Sequence, residues 1–319
     1  MNRSLVPFVA VFLCLWLVGV TAAQLTKQEV TKGVHFGPES KKRYVVGMEI
    51  RAVGGPCQGL YGTIPVPTDW PEQQVSILKE DFTHHVQSVR YRQLANGIEE
   101  MHVSIPLLPA GEIAKALVTF DITRSVLKPP ADVGLFVAPQ RLNRKIRQYL
   151  GPSPRIETAD RRIRRMAKEI DSDSENVWKS VQAIFDVVRK KVDYQRGSLK
   201  GAAVALRDGR GNHEDITSLF IALCRVKGIP ARTVWVLDHC YAEFYLHDDE
   251  GQGHWIPCQL TEKVSFGGTS EVRPILQKGD RFKISKQRKP VRFVPESLTG
   301  KAGVGRPHVT FVRTLTRVD

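Results

Sequence analysis

Gly209-Arg-Gly-Asn-His213-Glu-Asp215-Ile-Thr-Ser-Leu-Phe-Ile-Ala-Leu-Cys-Arg-Val-Lys-Gly-Ile-Pro-Ala-Arg232 is the stretch whose reading decides the fold. Glycines punctuate residues 197–211, and the apolar run from Asp215 to Lys227 then reads as a helix stopped by Gly228. Asp215, just inside that helix, complements the positive end of its dipole. Beyond it, Ile229–Leu237, Tyr241–Leu246 and His254–Leu260 read as successive strands. Before it, the spacing predicts helices over Pro139–Leu150, closed by Gly151-Pro152, and over Thr158–Ile170, with Ile163, Met166, Ala167 and Ile170 as a buried stripe. A third helix carries Val177, Trp178, Val181, Ile184, Phe185 and Val188 at helical intervals, after Ser172 and Glu175 at capping-box spacing. Helices followed by an antiparallel sheet make residues 136–265 an α+β domain.

The quoted stretch, together with His239-Cys-Tyr241-Ala-Glu243 and Trp255-Ile-Pro-Cys-Gln259, resembles the core signature of the transglutaminase-like superfamily, which has a papain-like fold. In that family a glycine-rich turn delivers a cysteine to the start of a helix. The next strand brings a histidine, often before an aromatic and a glutamate, and a third strand ends Trp-x-Pro-x-Asp. The helix N-terminus stabilises the thiolate, the histidine takes its proton, and a carboxylate or amide orients the histidine. The resemblance implies acyl transfer or amide hydrolysis through a thioester, with no cofactor. Carried over residue by residue, it makes His213, His239 and Gln259 the catalytic positions. Asp215, Arg232, Tyr241, Glu243 and Trp255 fall at cleft or supporting positions, where salt bridging, strand packing and helix capping are equally ordinary roles.

Two of the three catalytic positions depart from the family. An amide such as Gln259 can still orient a histidine. Imidazole at position 213, however, cannot form the thioester, and a helix N-terminus favours its neutral ring. No other cysteine is a convincing replacement. Cys224 lies eleven residues past His213, about three turns or ~16 Å along the helix, in an apolar stripe with Phe220 and Leu223. Cys240 follows His239 directly and would face away from it; Cys258 is similarly out of phase with Gln259, and Cys57 belongs to the preceding domain. If family geometry sets His239 beside Gln259 on antiparallel strands, Cys240 stands opposite Cys258, within reach of a bridge. The resemblance therefore implies a disulfide between them.

Three functional readings follow. A degenerate transglutaminase-like protein would keep the cleft to bind an extended peptide or polymer. An active amide hydrolase or acyl transferase would use His213 and His239 as base and acid in a non-standard His/His/Gln site. A metal site would join His213 and His239 with Glu214 or Asp215, but no HExxH-type spacing supports it, so no metal ligand set is assigned.

The rest of the chain supplies context. Arg43–Val53, Leu60–Val66, Gln74–Thr83, Val86–Leu94, Met101–Leu107 and Ala114–Ile122 are short strand-like runs separated by turn signals, predicting a β-sandwich-like domain over residues 41–130. His84 and His85, as neighbours on a strand, would point to opposite faces and are not read as a metal pair. Lys128-Pro-Pro130 marks the boundary. A basic extension, 266–319, ends in one alternating strand from His308 to Val318.

At the other end, Arg3, an apolar run from Leu5 to Val20 and small residues to Ala23 read as a signal peptide over residues 1–23. An uncleaved anchor is the rival reading, because the run approaches the length of a span. Residues 24–40 are polar and read as a leader. The formal charge is +14, but no helix-turn-helix, zinc-finger or RNP-like signature accompanies it, so nucleic acid is not an expected partner. A peptide or protein is the expected partner, with an acidic envelope polymer as a further candidate. The expected location is outside the cytoplasm: periplasmic, cell-surface or secreted. The cysteines fit no zinc-ribbon or CxxC pattern.

Overall fold

The computed structural model of the chain describes residues 32–170, 176–284, 287–303 and 306–318. The expected signal peptide and the expected capping box of Ser172 and Glu175 lie outside the described residues. Among the described residues, no helix is long and apolar enough to cross a membrane.

Six strands come first among the described residues: β1 (His35–Arg51), β2 (Cys57–Val66), β3 (Gln73–Phe82), β4 (Ser88–Gln93), β5 (Glu99–Leu108) and β6 (Ile113–Lys128). β1 begins inside the stretch expected to be a loose leader, because β6 continues to Lys128 and offers His35 a ladder partner. Alternate residues of β1, β2, β5 and β6 face inward, as the pleat requires. Tyr44, Val46, Met48 and Ile50 of β1 meet Leu60, Ile64, Met101, Val103 and Ile105 in one hydrophobic core. His84 and His85 fall in the turn after β3 rather than on a strand, and their rings lie 3.9 Å apart between centroids.

The second half runs α1 (Arg144–Arg147), α2 (Arg161–Glu169), α3 (Val177–Lys191), β7 (Asp193–Tyr194), α4 (Ala202–Asp208), β8 (Arg210–Gly211), α5 (His213–Val226), β9 (Ala231–Val236), β10 (His239–His247), β11 (Gly253–Gln259), β12 (Ser265–Phe266) and β13 (Ile275–Lys278). Two of the expected helices start later than their apolar spacing suggests. Arg141 is left-handed at φ 52, and the Asn143 side chain accepts the Ile146 N–H, so α1 begins only at Arg144. Asp160 similarly accepts the N–H groups of Arg162 and Ile163 and sets the start of α2. α3 is capped by Asn176, which accepts from the Lys179 N–H.

The five-stranded sheet runs β12-β11-β10-β9-β13. α5 packs against one face of it, with Phe220 edge-on to Phe244 at 6.4 Å. Leu219, Phe220, Leu223 and Cys224 of the helix join Phe244, Ile256 and Cys258 of the sheet in a second core. This is the α+β class expected from the sequence.

The chain then adds β14 (Ser297–Ala302) and β15 (His308–Arg317). Both return to the first six strands, giving sheets ordered β15-β1-β6-β3 and β14-β2-β5-β4. The sandwich thus contains strands from both sides of the helical domain.

Candidate active-site cleft

Asn212 and Asp215 cap α5 reciprocally. The Asp215 N–H donates to Asn212 Oδ1 at 2.9 Å and the Asn212 N–H donates to Asp215 Oδ2 at 3.1 Å. The other Asp215 oxygen accepts from the N–H groups of Lys200 and Gly201 at 2.8 and 2.7 Å. Asp215 therefore ties the glycine-punctuated loop to the helix end, and that loop delivers His213 as the first helical residue. Gly211 is required there, since a Cβ would come within 2.7 Å of the Asp215 Cβ.

His239 begins β10 after a two-residue turn in which Asp238 is left-handed at φ 55. Its ring lies 4.9 Å from that of His213 between centroids. Gln259 Nε2 and His239 Nε2 are 3.1 Å apart. The structure thus brings His213, His239 and Gln259 together. Burial drives His239 down to about 4, with Arg273 and His213 adding to the shift against the opposing charge of Glu262. Burial also lowers His213, opposed by Glu214 and Glu262. At neutral pH both rings are uncharged.

The other residues expected at supporting positions, Arg232, Tyr241, Glu243 and Trp255, belong to a largely buried cluster behind the cleft. Glu243 accepts from Arg232 on one oxygen and from Lys278 on the other, each at 2.7 Å. Lys278 also donates to Glu72 at 2.6 Å. Tyr241 Oη accepts from Arg124 at 2.9 Å, and Arg232 stacks over Trp255 at 4.0 Å. Glu72 and Arg124 come from the sandwich, so this cluster joins the two halves; none of these side chains lines the space beside His213.

The expected disulfide is absent: Cys240 and Cys258 are free and buried. β10 pairs Ala242 with Cys258, while the partner of Cys240 is Trp235 on β9. The inferred register was wrong by two residues because the His239–Gln259 contact is diagonal. Long side chains span the ~7–8 Å between diagonal neighbours, whereas cysteine side chains do not. Cys240 turns instead toward Thr217, and burial pushes its thiol up to about 12. Burial also raises Cys224 and Cys258 far above an ordinary thiol.

Several site residues carried no sequence signal. Thr269, buried in the loop after β12, donates its hydroxyl to Gln259 Oε1 at 3.0 Å. Glu262 Oε1 sits 3.5 Å from His239 Nδ1, held by a left-handed backbone at φ 57. His239, Glu262 and Glu271 place ligand-type atoms within 4.8 Å of one another. A guanidinium already supplies the positive charge there: Arg273 reaches Glu262 at 3.0 Å and Glu271 at 2.6 Å. Burial would raise Glu271, but Arg273 outweighs it and holds the carboxyl at about 2. The metal set first considered does not assemble, because Asp215 is occupied by backbone N–H groups and Glu214 pairs with Arg292 at 3.2 Å.

One cavity borders the histidine pair and another lies nearby, bordered by Glu262. A cavity of about 450 Å³ is lined by His213, Trp235, Asp238, His239 and Arg292 among others. A second, of about 380 Å³, is lined by Arg189, Tyr194, Ile216, Thr261 and Glu262 among others.

A helix N-terminus set against a histidine-bearing antiparallel sheet defines the papain-like class of domain. Residues 164–260 match the family model of the transglutaminase-like superfamily, so this chain carries a transglutaminase-like domain. Among solved structures, a Cytophaga hutchinsonii protein provisionally assigned as a cysteine protease is similar at a TM-score of 0.58 and 18% identity, with 90% of this chain and 93% of that one covered. That likeness shows a shared fold across both halves. A provisionally assigned protease from Parabacteroides distasonis aligns at a TM-score of 0.28 and 14% identity, over 71% of this chain and 48% of that one. Comparison with curated proteins gives no significant match.

Proposed function

We propose that this is an exported, catalytically degenerate transglutaminase-like protein that binds an extended peptide or envelope polymer in its cleft. The observation that carries the reading is that the side chain facing His239 from the start of α5 is His213, while all four described cysteines are buried elsewhere. Without a thiolate there is no route to a thioester. The cavity lined by both histidines leaves room for an occupant beside the pair. Export rests on the apolar leader read from the sequence, and the basic charge suits an acidic partner.

The test is chemical. The native protein is expected to incorporate no primary amine into glutamine-bearing peptides and to form no adduct with thiol-directed active-site probes. Mass-spectrometric mapping of a probe to a cleft cysteine would overturn the reading. So would amide turnover that disappears in His213→Ala, which would establish an active His/His/Gln site instead.

A further inference from the structure

We propose that Thr269, acting through Gln259, holds neutral His239 in the tautomer protonated on Nδ1, so that this nitrogen is a hydrogen-bond donor and not a base. The argument starts from a group that can only donate. The backbone N–H of Glu271 reaches Thr269 Oγ1 at 3.1 Å. Thr269 in turn lies 3.0 Å from Gln259 Oε1, and its hydroxyl hydrogen is directed there. The amide oxygen of Gln259 is thereby committed to Thr269, and its NH₂ meets His239 Nε2 at 3.1 Å. A ring nitrogen that accepts carries no proton, so the proton of neutral His239 sits on Nδ1.

The reverse amide orientation satisfies fewer groups. Thr269 Oγ1 would then accept twice, and its hydroxyl hydrogen would have no acceptor among the described residues. Gln259 and Thr269 are both buried, where an unmade hydrogen bond is costly.

The opposite edge of the ring agrees. His239 Nδ1 is buried without a hydrogen-bond partner, and the nearest charged group is the carboxylate of Glu262 at 3.5 Å. A carboxylate there favours an N–H pointing toward it. Arg273, Glu271 and His213 complete the charged and titratable groups acting on the ring. Only the two carboxylates among them attract a proton.

The functional consequence is a reversal of role. A catalytic histidine of this geometry accepts the nucleophile's proton on the nitrogen facing the cleft, and its orienting partner accepts from the other nitrogen. Here the orienting partner donates, and Thr269 fixes it in that sense. Thr269 is a positioning residue: it touches no ligand and acts through Gln259. The N–H it leaves on Nδ1 is buried and serves as a donor toward the Glu262 carboxylate, 3.5 Å away. The tautomer does not rest on the peptide-binding reading.

Long-range ¹H–¹⁵N correlations of the His239 ring in the full chain at pH 7 test the tautomer directly. The expected spectrum shows Nδ1 protonated and Nε2 unprotonated. Thr269→Ser keeps the hydroxyl and should leave this pattern unchanged. Thr269→Val removes it, frees Gln259 to turn its oxygen toward the ring, and should move the proton to Nε2. An Nε2–H tautomer in the wild type overturns the proposal, and so does a folded Thr269→Val protein whose tautomer is unchanged. If Thr269→Val does not fold, the wild-type and Thr269→Ser spectra still decide it.

A second readout uses His213→Cys as a reporter thiol. Its thiol should titrate at least one pH unit lower when Thr269→Val is added, because only then can Nδ1 take the proton. Equal titration in the single and double variants overturns the proposal. Peptide binding is not involved in either measurement, so failure of the binding reading is seen separately.

Discussion

Replacing Glu72 by alanine is expected to destabilise the protein by about 3–5 kcal/mol, the range for removing one partner of a buried ion pair. Glu72 is a sandwich residue, almost fully buried, and it pairs with Lys278 at 2.6 Å and faces Arg124 at 3.5 Å. Burial alone would push its carboxyl up. The two cations outweigh that and hold it near 2. Without it, Arg124 loses the carboxylate it faces, and Lys278 keeps only Glu243. Chemical denaturation at pH 7 measures the loss. Arg43→Ala is the control, because Arg43 and Asp121 pair at 3.0 Å on the surface with both side chains about two-fifths exposed, where a pair contributes little. Equal effects of the two substitutions would show that the buried cluster does not hold the halves together.

The second large effect is in the pH dependence. The His239 value falls from 6.5 to about 4 on folding, so the unfolded chain takes up this proton first as pH falls. Stability from this group is complete above about pH 6.5 and is lost progressively down to about pH 4. At about 1.4 kcal/mol per pH unit the loss is about 3 kcal/mol. The lowered His213 acts in the same direction. Glu72 and Glu271, whose folded values lie near 2 against 4.5, lose their contributions at more acid pH. Unfolding free energies at pH 7, 5.5 and 4.5 should therefore decline steeply in the wild type and less so in His239→Gln. Parallel curves would remove His239 as the source.

The sequence made α5 and the three strands after it legible, because their apolar spacing is regular and the punctuation at Gly211, Gly228 and Pro230 is local. It also placed His213, His239 and Gln259 in one cleft. What it did not contain was register. The contact between His239 and Gln259 could arise from direct or diagonal neighbours, and the direct choice led to a disulfide that the real pairing of Ala242 with Cys258 excludes. Glu262, Thr269 and Arg273 were hidden because they sit in loops, where no periodicity marks a side chain as inward-facing. Tyr241 and Glu243 were visible as residues, but Arg124, which bonds Tyr241, and Glu72, which reaches Glu243 through Lys278, belong to the other half of the chain. Pairing across such separation leaves no local trace.

The return of β14 and β15 to the first sheets has a consequence for biosynthesis. β1 and β2 leave the ribosome before the helical domain, but the neighbours that complete their sheets follow only after it. Until then each nascent sheet carries an open hydrogen-bonding edge, of the kind that recruits stray strands. The helical domain, whose contacts lie mostly within its own stretch of chain, can close while still attached to the ribosome. The sandwich can close only after β14 and β15 have followed the helical domain out, and that interval is when the chain is most exposed to mispairing.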